Sequence, residues 1–305
     1  MVLGDACGQG VRAFIMNDCS LRDRMLEAIG QIEEALGKDV PDVTKVAPSP
    51  WRSFFFGGDD GGGLYVLACS PGAGRRALGA SLVAEFLRTT RQAPTLAWFS
   101  LCEPAVEATI RLLSLSAGFS PEAVAKGQAR SREHLRRLMT TAGRLAEHPV
   151  LIDDSQGLSV SDLWERCREW EGTHGGCRPI LIDGGDSLLN DFGMAGDSDP
   201  EVAAEIARDL RRFAEEFGAP VIVLITLDES TPIDEFTAPW REHAELIATL
   251  GVDEPDPQTG VASATLRILK PDRDSDRLIT PLIFRTFLMG LADEESDEES
   301  DEDEG

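Results

Sequence analysis

From Leu64 onward, short apolar runs of strand length alternate with stretches whose apolar residues recur at helical spacing. This alternation constrains the fold more than any other feature of the chain. Strand, crossover helix and strand in succession give a mostly parallel sheet, and the helices then cover both of its faces. The runs predict strands at Leu64–Cys69, Thr95–Ser100, Val150–Asp153, Pro179–Asp183, Pro220–Thr226, Leu246–Leu250, Ala262–Leu269 and Leu282–Phe287. Helical patterns fill the gaps at Arg75–Thr90, Pro104–Ala117, Ser131–Glu147, Val160–Thr173 and Pro200–Phe217. Trp164 and Trp170 lie six apart on one of these helices, so one is expected in the core and the other at an interface. The closing strands have no helical pattern between them and are expected to pair as antiparallel hairpins at the sheet edge.

Upstream of this unit, Leu21, Met25, Leu26, Ile29, Ile32 and Leu36 recur at helical spacing, with Ser20 placed to cap the start and Gly37 to stop the helix. Residues 38–63 read as a linker rich in Pro, Gly and Asp. Its aromatics, Trp51 and Phe54 to Phe56, are expected to pack on the domain that follows. The expected organisation is an N-terminal segment with an amphipathic linker-type helix (1–37), the linker (38–63), the α/β domain (64–290) and an acidic tail (291–305). The tail has no apolar surface to bury and repels itself, so it is expected to be disordered.

The chain of 305 residues carries a formal net charge of −25. Ten acidic residues lie between Asp293 and Glu304, which leaves the rest at −15. An acidic body opposes broad, nonspecific contact with nucleic-acid phosphates and with anionic membranes. Six scattered cysteines include no C-x-x-C pair, which argues against a structural zinc site. The N-terminus lacks the apolar core of a secretory signal, and runs such as Val221–Thr226 are strand-sized. A reduced, soluble, cytoplasmic protein without membrane contact is expected.

After the first core strand comes Ser70-Pro71-Gly72-Ala73-Gly74-Arg75-Arg76, and then a helix. Strand, glycine loop and helix N-terminus form the setting of a phosphate cradle, where backbone N–H groups and the helix dipole favour an anion. The standard loop continues with Lys for the β/γ-phosphates and Ser or Thr for Mg²⁺. Here Arg75 and Arg76 take those places. Arginine pairs with phosphate through a bulkier planar fork, and it has no acceptor to offer a metal. A tight strand-to-helix turn without a ligand is the plainer reading of the same residues.

Further segments carry a specific resemblance. Trp98-Phe99-Ser100-Leu101-Cys102-Glu103 resembles the Phe-Phe-Ser-Leu-Glu signature of the helicase domain of DnaB-type replicative helicases. The stretch from His148 to Val160, containing Ile152-Asp153-Asp154-Ser155-Gln156-Gly157-Leu158-Ser159-Val160, is similar to that family's Ile-Asp-Asp-(Ser/Thr)-Pro-Gly-Leu-(Ser/Thr)-Val. Pro179-Ile180-Leu181-Ile182-Asp183 looks like its Walker B strand, and Glu201–Leu210 followed by Gly218–Ile222 like the next helix and strand. The resemblance runs from about residue 64 to 288.

The resemblance implies a RecA-like P-loop NTPase core: a mostly parallel twisted sheet, helices on both faces and antiparallel C-terminal edge strands. It implies ATP and Mg²⁺ as cofactors, a hexameric ring, and single-stranded DNA in its centre. Ser70, Pro71, Gly72, Ala73, Gly74, Arg75 and Arg76 would form the nucleotide loop, and Asp183 would help to hold Mg²⁺. The helix at 20–36 sits where the family has a linker helix that docks on a neighbouring subunit, and the family's N-terminal collar is not represented. The family's catalytic Glu falls at Cys102, with Glu103 as the neighbouring substitute. Lys270 and Arg273 are the interface-finger candidates, with Asp272 at the family's Arg position. Thr226-Leu227 matches the Ser-Gln sensor without its amide. The loop Asn190–Asp199, basic in the family, is acidic here. Phosphoryl transfer needs most of these electrostatic parts together. The expected function is therefore a nucleotide-binding domain linked to DNA replication, with weakened or lost hydrolysis and unwinding. Its partners would be further copies in a ring or a related helicase. An active helicase using Arg75 and Glu103, and a non-enzymatic interaction protein using its acidic tail, are the alternatives.

Overall fold

The fold is taken from a computed structural model. It describes residues 19–35, 62–69, 74–89, 95–119, 124, 132–196, 199–227, 231–252, 262–270 and 278–284. The elements in chain order are β1 (Cys19–Ser20), α1 (Leu21–Ala35), β2 (Leu64–Cys69), α2 (Arg75–Thr89), β3 (Thr95–Ser100), α3 (Ala105–Ala117), α4 (Arg132–Leu145), β4 (Val150–Asp153), α5 (Val160–His174), β5 (Cys177–Asp183), α6 (Pro200–Phe217), β6 (Val221–Thr226), α7 (Ile233–Arg241), β7 (Leu246–Val252), β8 (Ala262–Lys270) and β9 (Leu278–Phe284). A 3-10 turn at Gly185–Ser187 follows β5.

The strands form one sheet in the order β1-β4-β3-β5-β6-β2-β7-β8-β9. The central six, β4 to β7 in that order, are all parallel. β1 joins antiparallel at one edge, and β8 and β9 at the other. Two apolar layers sandwich the sheet, and the strand period of two sorts side chains between them. On β2, Leu67 and Cys69 point into the layer shared with α1, α2, α3 and α4. Leu64, Val66 and Ala68 point into the layer shared with α5 and α6.

Local chemistry sets the helix ends. Ser159 accepts from the Asp162 amide while Asp162 accepts from the Ser159 amide, a capping box that starts α5. Asp199 caps α6 ahead of Pro200, and Gly218 ends it in the left-handed region. Val202, Ala203, Ile206, Ala207, Leu210, Phe213 and Ala214 form the buried stripe between those signals.

Several expectations need correction. β7 pairs parallel with β2, so only β8 and β9 form the antiparallel C-terminal edge. The crossover is α7, which carries Pro239 inside it and so lacks an uninterrupted helical signature. β9 lies at 278–284, earlier than the expected 282–287. Of the two tryptophans of α5, Trp170 is buried and Trp164 is partly buried. Both pack on the same layer: Trp170 stacks on Phe99, while Trp164 meets Phe213 edge-on and donates to Glu216. The linker aromatics, Gly37 and the acidic tail lie outside the described residues.

Helix α1 starts as expected, with the Asp23 amide donating to Ser20 Oγ. Its buried face, Leu21, Met25 and Ala28, enters the core layer of its own chain. Arg24 reaches Asp154 at 3.7 Å, and Asp154 in turn accepts from the Ala105 amide at the start of α3. Met25→Ala removes a fully packed side chain and is expected to cost roughly 2–5 kcal/mol. Leu26→Ala, on the exposed face of the same helix, is expected to change stability by no more than about 0.5 kcal/mol. Chemical denaturation of the two variants measures the contrast. Equal losses would mean that α1 is not anchored through this face.

Candidate functional site

In a parallel sheet the strand ends on one side gather into a single edge, and the loops leaving that edge build the site. Here the C-terminal ends of β2, β3, β5 and β6 present Cys69, Ser100, Asp183 and Thr226. The register sets Cys69 against Thr226 and Ser100 against Asp183. Helix α2 begins just beyond this edge. Gly74, at φ +72°, turns the chain into it, and Arg75 is its first residue. Ser70, Pro71, Gly72 and Ala73 lie outside the described residues.

Arg75 turns inward. Its Nε lies 3.1 Å from Asp183 Oδ1. Its Nη1 donates to both oxygens of Asp186, at 3.0 and 3.2 Å, and to the hydroxyl of Thr226. One guanidinium thus ties the start of α2 to the end of β5, the 3-10 turn and the end of β6. The contact with Asp183 is an ion pair by distance and not an aligned hydrogen bond. Among the described residues, no donor is directed at either oxygen of Asp183.

Asp183 is fully buried. Helix α2 closes over it at Gly79, where a Cβ atom would stand 3.1 Å from Asp183 Oδ2. Burial pushes its carboxyl up from 3.8 to about 6, against the opposing pull of Arg75. Burial opposes the charge of Arg75 as well, but Asp186 and Asp183 outweigh it and leave its pKa raised. The Cys69 thiol beneath the site is pushed up to about 12 by burial and by Asp183.

Glu103 is engaged elsewhere. Its carboxylate receives both Arg111 Nη2 at 3.0 Å and Nε at 3.4 Å from α3, and Arg76 Nε lies 3.9 Å away. Ser100 Oγ donates to its backbone carbonyl, which fixes the turn after β3. Glu103 and Arg75 therefore have different partners. Cys102, the residue expected from the resemblance at the catalytic position, is half-buried, 3.7 Å from Ser187 Oγ. Burial raises its pKa although Arg75 pulls the other way, so the thiol is a poor base at neutral pH. Gly184, at φ +105°, makes room for it: a Cβ there would meet Cys102 Sγ at 2.2 Å.

Lys270 Nζ donates to the carbonyl of Ala244 at 2.7 Å and to that of Arg241, at the end of α7. It serves its own chain as a helix C-terminal cation. Arg273 lies outside the described residues. The loop from Asn190 is braced by Asn190 itself, whose side-chain oxygen accepts from the Phe192 and Met194 amides. Phe192 stands 84% exposed at its tip.

Asp186 and Arg111 were not singled out from sequence. The run Asp183-Gly184-Gly185-Asp186 showed a second carboxylate one turn past the first. Nothing local showed that Arg75, 111 residues away, would reach it.

Mg²⁺ wants six oxygens in near-octahedral array, usually one or two carboxylates with waters and phosphates. Arg76 offers no acceptor, and Asp183 already faces a fixed positive charge. The residues described do not fit Mg²⁺ as arranged. Among them no group of three or more His, Cys, Asp or Glu side chains is placed to hold a metal ion. No helix of the described residues is long and apolar enough to cross a membrane.

The titration of Asp183 has a measurable sign. Between pH ~4 and ~6 the folded protein holds a proton that the unfolded chain has released, so stability falls as pH rises through that window and then levels off. Asp183→Asn removes this contribution. Urea unfolding of both proteins across the window is expected to show wild type losing stability relative to the variant as pH increases. Parallel curves would refute the buried, raised carboxyl.

Residues 54–236 match the family of the DnaB-like helicase C terminal domain. Among curated relatives, the replicative DNA helicase DnaB of Pasteurella multocida (strain Pm70) is 30% identical over 168 residues, covering 55% of this chain and 35% of that protein. The replicative DNA helicase DnaC of Bacillus subtilis (strain 168) is 27% identical over 164 residues, covering 54% of this chain and 35% of that one. The matched part thus spans little more than a third of each of these two relatives. In fold, the chain is similar to a solved ATPase domain, with a TM-score of 0.60 at 18% identity over 80% of this chain and 89% of that one. It is also similar to a DnaB-like replicative helicase whose structure was solved with its interactions with primase, with a TM-score of 0.59 at 18% identity over 79% and 61%. The nine-stranded sheet accords with these folds, and the family match covers more than half of the sequence. The chain belongs to the family of the DnaB-like helicase C terminal domain.

Proposed function

We propose that this chain is a DnaB-family domain that has lost ATP hydrolysis and DNA unwinding and acts as a structural or regulatory module of a replication assembly. The observation that carries this reading is the inward commitment of Arg75. A P-loop cation must face the β/γ-phosphates to stabilise charge in phosphoryl transfer. Arg75 instead shares its charge between Asp183 and Asp186. Glu103 is closed by Arg111, and a thiol stands at the family's base position.

Nucleotide binding through Ser70–Arg76 remains part of the proposal, with the phosphates facing the exposed Arg76 and the α2 N-terminus. The partners proposed are further copies of this chain in a ring, or a related helicase in a mixed ring. DNA contact is weakened by the acidic loop at 190–199 and by the body charge of −15 that remains when the tail is set aside. The division into an N-terminal segment (1–37), linker (38–63), ATPase-type domain (64–290) and acidic tail (291–305) belongs to the same reading.

An ATPase assay on the purified full chain, with Mg²⁺ and single-stranded DNA, tests it. Expected is turnover at background, unchanged by DNA and unchanged in Asp183→Ala. Robust DNA-stimulated turnover that vanishes in Asp183→Ala would overturn the proposal and favour an active helicase with a non-standard site.

A further inference from the structure

The oxygens around Arg75 are themselves an unusual set. Two carboxylates, Asp183 and Asp186, and one hydroxyl, Thr226, converge on a single guanidinium. They come from the ends of β5 and β6 and from the turn between β5 and α6, positions fixed by the sheet. The carboxylate of Asp183 is sealed behind α2, with no aligned hydrogen-bond donor among the described residues. Carboxylate, carboxylate and hydroxyl are the ligands that a hard divalent cation selects. A buried carboxylate in that position requires a counter-charge, and the chain supplies one covalently.

We propose that the Arg75 guanidinium is the resident cation of this site. Asp183, Asp186 and Thr226 form a latent divalent-cation site that Arg75 keeps filled, so the chain meets its anionic ligands without a metal. The proposal deepens the non-hydrolysing reading and rests on it for the identity of the site, but it has a separate readout.

The charge count favours the swap. Two carboxylates with one guanidinium leave a net −1. Without the guanidinium the buried Asp183 carboxyl either takes up a proton or keeps its charge by binding another cation beside Asp186, and a divalent cation cancels both charges. Removing Arg75 therefore exposes a strong demand for a cation. Adding a metal beside Arg75 would place two like charges on one carboxylate, at a separation where Coulomb repulsion in protein surroundings is large.

The test uses the full chain and Mn²⁺ alone, without nucleotide. Bound Mn²⁺ is counted by electron paramagnetic resonance of the free ion in wild type, Arg75→Ala, and Arg75→Ala with Asp183→Asn. The acidic tail gives all three the same weak background. Arg75→Ala is expected to take up one further equivalent, about tenfold tighter than that background or better. It should also show a melting temperature that Mn²⁺ raises. Wild type and the double variant should show neither effect. If Arg75→Ala fails to fold, wild type and Asp183→Asn still decide the matter: one Mn²⁺ bound by wild type and lost in Asp183→Asn overturns the proposal. So does a folded Arg75→Ala that binds no extra Mn²⁺. Failure of the non-hydrolysing reading looks different. Turnover that persists in EDTA overturns that reading and leaves the resident cation standing, whereas turnover that requires Mg²⁺ overturns both.

Discussion

The buried ion pair between Arg75 and Asp183 governs how the carboxyl edge of this sheet is assembled. A carboxylate at the end of a central strand, closed over by a helix, is costly unless an opposite charge reaches it. Losing one member of such a pair typically costs about 3–5 kcal/mol, because the other is left uncompensated. Arg75 is placed to meet that demand because it begins the very helix that buries Asp183. The same side chain then spans to Asp186 and Thr226, so three strand-to-helix connections share one cation. The close approach of α2 at Gly79 and the buried Cys69 thiol both lie against it.

The charges gathered at this edge of the sheet are paired with one another. Asp183 ends β5 in register with Ser100 of β3. The turn after β3 carries a carboxylate at Glu103. Each of these carboxylates has an internal arginine: Asp183 and Asp186 share Arg75, and Glu103 holds Arg111. A phosphoryl-transfer site works by keeping such charges preorganised but available to the substrate. Here their electrostatic energy is directed into the folded state. The interface-finger candidate Lys270 follows the same logic, with its ammonium engaged by carbonyls at the end of α7.

Much of this was legible from residues alone. The parallel core was visible because strands buried on both faces read as continuous apolar runs separated by amphipathic helices. The cap at Ser20 was a local signal at the start of α1. Arg75 and Asp183 could be named as candidates from their motifs, and the structure brings the two side chains together. The crossover helix α7 was missed because Pro239 interrupts its pattern, and with it the parallel pairing of β7. The six-residue separation of Trp164 and Trp170 says which faces of a helix are used, not what covers them.

The sequence by itself therefore determined the layered α/β framework and the family, and it named Arg75, Asp183 and Glu103 as candidates for a site. These follow from periodicity and from short motifs, which are local. Only the tertiary structure decided what those residues do with their charges. Arg75 meets Asp186 across 111 residues of chain and Thr226 across 151. Glu103 meets Arg111 eight residues on, from the turn after β3 to α3. The direction of a flexible cationic side chain depends on where buried carboxylates lie in space, and that arrangement exists only once the strands are in register and the helices have closed over them.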